Sequence, residues 1–123
     1  MNSIKIAEIE DVLKMKDQIK DNWSLANFYG NCESELMVAQ TIHACCLNYE
    51  QHGQVFSFKS PNVNAIHNGG LVDNFRGYKM LVDDGMFIEG TFEDRPVIYP
   101  TQALIDQLSI YFDKKKERER GGL

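Results

Sequence analysis

LVDNFRGYKMLVDDGMFIEGTFEDRPVIYPT, residues 71–101, is the stretch whose reading decides the fold. Its first half has a helical period. Leu71, Phe75, Tyr78 and Val82 fall on one face, with Leu81 beside them, while Asp73, Asn74, Arg76, Gly77 and Lys79 fall elsewhere. The spacing predicts a helix over 71–84, stopped by Gly85. Two short apolar runs follow, MFIEGTF and RPVIY, separated by Glu93-Asp94, which is the pattern of a tight hairpin. Pro96 cannot donate to a ladder, so the hairpin is predicted at a sheet edge. Pro100-Thr101 then opens a last helix, with Leu104, Leu108, Ile110, Tyr111 and Phe112 as its apolar contacts.

Upstream, QVFSF (54–58) alternates like a short strand, and Ser60-Pro61 is a helix start with serine as N-cap. That helix must be short, because Asn68-Gly69-Gly70 breaks it. Residues 33–51 predict a long core helix. Ser34 is the expected N-cap, Leu36, Ala39, Ile42, Cys46 and Tyr49 form its stripe, and Gly53 is the stop. WSLANFYGNC (23–32) reads as an aromatic connection whose rings, Trp23, Phe28 and Tyr29, pack the preceding segment onto the body or stack on bases. Residues 4–22 predict an amphipathic helix with Ile9, Val12, Leu13, Lys16 and Ile19 near helical spacing. Its stripe needs cover, from its own domain or from the same helix of a second subunit. KKKERERGGL at the C-terminus reads as a charged, frayed tail.

The chain has 123 residues and is 43% hydrophobic, enough to bury a core and to exclude global disorder. No apolar run is long enough to span a bilayer, and the N-terminus lacks a signal-peptide core, so a cytoplasmic protein is expected. The net charge of −5 argues against indiscriminate nucleic-acid binding, so any such surface must be a local patch. Between Asp21 and Gln54 there is no Lys or Arg. Cys45 and Cys46 point about 100° apart on a helix and cannot by themselves converge with His43 and His52 on a metal, so small buried thiols are expected. There is no glycine-rich phosphate loop, no nucleophile motif and no acid pair grouped with a histidine. The expectation is a protein without enzymatic activity and without metal or cofactor.

The order is long helix, short strand, short helix, glycine turn, helix, two-stranded wing, helix. With Leu81-Val82-Asp83-Asp84-Gly85-Met86-Phe87-Ile88 running from helix to strand, Arg95 just past the hairpin tip and Tyr99-Pro100-Thr101 opening the last helix, residues 34–112 resemble the winged helix-turn-helix family. MarR-type and plasmid or phage regulators are the nearest in pattern. The resemblance implies a mostly α, α+β fold with a small β-wing and an additional N-terminal helix. The implied organisation is an arm over 1–32 that dimerises, a winged-helix domain over 33–113 and a flexible tail over 114–123. It implies a dimeric, sequence-specific transcriptional regulator of double-stranded DNA. The helix at 71–84 would lie in the major groove and the wing at 86–99 on the flanking backbone or minor groove. The residues carried over are Asn74 and Arg76 for base edges, Lys79, Ser60 and Asn62 for phosphates, and Arg95 on the wing. Gly77 costs about 1 kcal/mol in a helix relative to Ala, which a close approach to DNA or to a neighbouring helix would explain. Glu89, Glu93 and Asp94 make this wing acidic. That favours the alternative of a protein-interaction module, an adaptor or acidic DNA mimic. A replication or partition factor would look the same in sequence.

Overall fold

The computed structural model describes residues 4–21, 24–60, 70–72 and 76–121. Its elements are α1 (Ile9–Gln18), α2 (Cys32–His52), β1 (Ser57–Ser60), β2 (Gly70–Val72), α3 (Arg76–Asp83), β3 (Phe87–Phe92), β4 (Arg95–Pro100) and α4 (Gln102–Gly121). The fold is α+β. The strands form one sheet in the order β2-β1-β4-β3, in which β4 is antiparallel to both β1 and β3, and β2 is parallel to β1.

α2 is the central helix. Val38, Thr41, Ile42 and Cys45 are fully buried within it. Its N-cap is Asn31 rather than the expected Ser34, and the Asn31 side chain accepts from Ser34 N at 2.9 Å. Ser34 is instead buried, its hydroxyl donating to Gly77 O at 3.1 Å. Gly53 ends the helix at φ 76°, the left-handed conformation that glycine adopts without strain.

The N-terminal segment begins as extended chain, not as the helix expected from residue 4. Ala7 N donates to Pro100 O at 2.9 Å, Gln102 N donates to Lys5 O at 2.8 Å, and Ile6 bridges Thr101. The first N–H groups of α4 have no partner within their own helix, and residues 5–7 supply one by staying extended. α1 then buries Val12 and Met15, and Ile19 just beyond it, in the same core as α2 and α4. Of the stripe that needed cover, Val12 and Ile19 are covered within the chain, while Leu13 and Lys16 remain exposed. The aromatic connection packs. Phe28 meets Tyr111 edge-on at 5.4 Å, and Tyr111 Oη donates to Ala26 O at 2.6 Å. Trp23 lies outside the described residues.

The helix expected over 71–84 is a correction. Residues 70–72 are a strand, and the described helix runs from Arg76 to Asp83. Gly70, Leu71 and Val72 pair with Phe58, Lys59 and Ser60, so this segment answers an open backbone edge of β1 that a local helical period does not register. The short helix expected after Ser60 falls outside the described residues, and Ser60 itself is the last residue of β1. α4 is longer than expected, continuing through the charged run to Gly121.

The hairpin is as read, with one change. Phe92 pairs with Arg95, leaving Glu93 (φ 50°) and Asp94 (φ 63°) as a two-residue loop with positive φ at both positions, a type I′ turn. The edge strand is β3, and β4 lies inside the sheet. Pro96 is tolerated there because β1 pairs with β4 only at Ile98 and Val97 and stops short of it. Type I′ turns favour Asn-Gly, and non-glycine residues pay steric strain in the left-handed region. The double variant Glu93→Asn, Asp94→Gly is therefore expected to stabilise the fold by about 0.5–1.5 kcal/mol in urea denaturation. An unchanged or lower midpoint would contradict the turn geometry.

Candidate functional site

The residues proposed from sequence divide between two surfaces. Alternation along paired strands puts Phe87, Glu89, Thr91, Pro96, Ile98 and Pro100 on one face of the hairpin and Ile88, Gly90, Phe92, Arg95, Val97 and Tyr99 on the other. The first face is inner. Phe87 and Ile98 enter the core, and Tyr78 of α3 donates to Glu89 at 2.8 Å across it. The second face turns away from α3. Lys79 on α3 and Arg95 on β4 thus project from opposite sides of the sheet. Asn62 and Asn74 lie outside the described residues, and Arg76 is the first residue of α3.

α3 is held tightly against the N-terminus of α2. Gly77 N donates to Glu33 Oε1 at 2.5 Å, Asn31 Nδ2 meets Met80 Sδ at 3.8 Å, and Tyr29 Oη donates to Met80 O at 3.3 Å and to the Asp84 carboxylate. A Cβ on Gly77 would sit 2.8 Å from Glu33 Oε1, 2.9 Å from Ser34 Oγ and 3.0 Å from Ser34 N. The glycine is thus explained by a neighbouring helix, not by DNA. Tyr78 and Leu81 face the core, leaving Lys79 and Asp83 outward. Those two form an exposed ion pair at 2.8 Å, and the Asp83 hydrogen bond and charge raise the Lys79 pKa. The charge of Lys79 is thereby shared before any phosphate arrives.

Arg95 is placed differently. Its Cζ lies 3.8 Å from the centroid of Phe58, so the guanidinium rests on an aromatic face, and the residue is exposed. Among the described residues no carboxylate lies within ion-pair distance of it. Phe58 belongs to a ring cluster that single-residue reading missed. Phe56 stacks on Phe92 at 4.6 Å and meets Phe58 edge-on at 5.0 Å, and His52 lies 5.2 Å from Phe92. The signal was present in the strand period, because a two-residue turn fixes Phe92 opposite Arg95 and then every second residue onto one face.

The other chemistry-bearing residues are dispersed. His43 and Cys32 are exposed, Cys45 and Cys46 are buried, and His52 sits with the rings. Among the described residues no three His, Cys, Asp or Glu side chains are grouped to hold a metal. Among them also, no helix is long and apolar enough to cross a membrane. Comparison with protein-family models, with curated proteins and with solved structures finds no match to this chain.

One variant and one labelling experiment test this geometry. Gly77→Ala gains about 1 kcal/mol of helix propensity but drives a methyl into the α2 backbone, a strain of roughly 1–3 kcal/mol. A net loss of stability is expected in denaturant titration, whereas a gain would place Gly77 on an open surface. Burial pushes the thiols of Cys45 and Cys46 up, which keeps them protonated and unreactive. With a disulfide reagent at neutral pH, Cys32 alone should react quickly in the folded protein, and all three cysteines after unfolding.

Proposed function

We propose that this chain is a winged-helix-type regulator that binds double-stranded DNA, with the β3–β4 hairpin as the wing and the outer surface of α3 toward the major groove. The observation that carries the reading is Arg95. A guanidinium laid on Phe58 beside the hairpin tip, without a carboxylate partner among the described residues, is restrained before binding, so less freedom is lost when it meets a phosphate or a base edge. The α+β fold, and the bracing of α3 by Glu33, Asn31 and Tyr29, support a rigid mount for such a contact. A homodimer on a pseudo-palindrome would double the few cationic contacts, with half-sites about 34 Å apart.

A second reading is favoured by the exposed acids of the turn, Glu93 and Asp94, together with the neutralised Lys79. In that reading the hairpin tip docks on a basic surface of a protein partner.

Selection of bound fragments from a random duplex library at near-physiological salt separates the two. For the DNA reading a palindromic motif is expected. Arg76→Ala should relax sequence preference at a cost of about 1–3 kcal/mol, and Arg95→Ala should weaken binding across sequences and lower the salt slope by about one. The absence of enrichment, or affinities untouched by both substitutions, would reject the DNA reading in favour of the protein partner.

A further inference from the structure

We infer that the outer face of the sheet is a stacking platform for the unpaired bases of a single-stranded nucleic acid. The inference shares Arg95 with the duplex reading but does not require it, because it makes no use of α3.

The first observation concerns Tyr99. A Cβ on Gly90 would lie 2.7 Å from Tyr99 Cε2, and Tyr99 Oη donates to Thr91 O at 3.3 Å. The ring therefore lies across β3, resting where any side chain at position 90 would stand, and its hydroxyl pins it there. The ring meets position 90 with its Cε2 edge, Cδ2 and Cζ lying farther off at 3.5 and 3.8 Å, so a glycine here leaves both π-faces clear of any side chain at that position. The residue is half-buried, as a ring lying on a sheet should be.

The second observation is what shares this face. Register places Phe92, Arg95 and Tyr99 on it, and Phe58 joins them through its pairing with Val97. Phe58 and Phe92 are half-buried, while Phe56 and Val97 beneath the cluster are fully buried. Arg95 and Tyr99 stand four residues apart on one strand, about 13 Å. The platform thus offers two separate flat groups, a guanidinium plane on Phe58 and a phenol ring set edge-on to position 90, both of a kind that stacks on bases.

The third observation is charge. The hairpin acids avoid this face, since Glu89 points inward to Tyr78, and Glu93 and Asp94 sit in the turn. Among the hairpin residues of the outer face, Ile88, Gly90, Phe92, Arg95, Val97 and Tyr99, the one charge is positive. A net charge of −5 opposes polyanion binding through the whole surface, but the local face suits a ligand that presents π-faces with phosphates at its margin. Bases within a duplex are already stacked and cannot present those faces, which selects a single strand.

The test is fluorescence anisotropy of a labelled oligothymidylate and a labelled oligouridylate of equal length, at low salt, with the full chain. Wild type should bind, and an unlabelled duplex should compete less well than an unlabelled single strand. Tyr99→Leu, which keeps apolar bulk and loses the π-face, should weaken binding about tenfold or more, while Tyr99→Phe should retain most of it. Arg95→Ala, at an exposed position, should weaken binding without changing the thermal melt. Preference for one oligonucleotide assigns the platform to DNA or to RNA, and equal binding supports bases without readout of the 2′-hydroxyl. No binding of either strand by folded wild type, or equal binding by wild type and a folded Tyr99→Leu, overturns the inference. Arg76→Ala separates it from the duplex reading, because that substitution should leave oligonucleotide binding unchanged.

Discussion

The Thr101 hydroxyl ties the start of α4 to the turn between α3 and β3. Thr101 is fully buried, its Oγ1 donates to the carbonyls of Gly85 and Met86 at 2.7 and 3.1 Å, and it accepts from Leu104 N at 3.2 Å. The same residue bridges Ile6 through its backbone. One side chain therefore caps α4, fixes the turn between α3 and β3, and stands where the N-terminal segment joins the sheet. A buried hydroxyl left unpaired costs about 1–3 kcal/mol, so each partner holds the others in place. The direction in which β4 leaves this junction determines where the hairpin tip, and with it Arg95, ends up.

From that junction the sheet acquires two unlike faces. The helical layer covers one, and Phe87 and Ile98 merge into its core. The other carries a satellite of rings anchored by Phe56 and Val97. The Tyr78–Glu89 hydrogen bond belongs to the first and the Arg95–Phe58 stack to the second. A hairpin that serves both faces needs a precise register, since a slip of one residue would send Arg95 inward and Glu89 outward. The two-residue turn at Glu93-Asp94 and the two prolines, Pro96 and Pro100, which cannot donate to a ladder, both restrict such slippage.

The hairpin, its turn, α2 and the start of α4 were legible in the sequence because their signals are local: strand alternation, Gly53 and Gly85 as stops, Pro100-Thr101 as a helix start. What failed was non-local. Leu71 and Val72 fit a helical period and a strand equally well, and the demand from the open edge of β1 decides between them. Residues 5–7 look helical until Lys5 O is needed by Gln102 N, almost a chain length away. Lys79 and Arg95 share a basic charge and one motif, yet α3 packs on the hairpin face opposite the one that strand parity gives to Arg95. Parity was available from the residues alone, once the turn was taken as two residues long.

Charge placement limits what either surface can do. The densest basic run, Lys114 to Arg120, lies in the last turns of α4, where the helix dipole is negative and cations are stabilised by the fold itself. The run is also interrupted by Glu117 and Glu119, so it is a weak electrostatic footprint. At the other end, Asp83 and Asp84 crowd the C-terminal end of α3 against the same rule, and they are tolerated because Lys79 and Tyr29 engage them. Counterion release on any polyanion would therefore be small, and any such binding would have to come from a few oriented contacts. An arginine already laid on a ring and a tyrosine pinned through its hydroxyl would suit such contacts, since their ordering is completed during folding and need not be repeated on association.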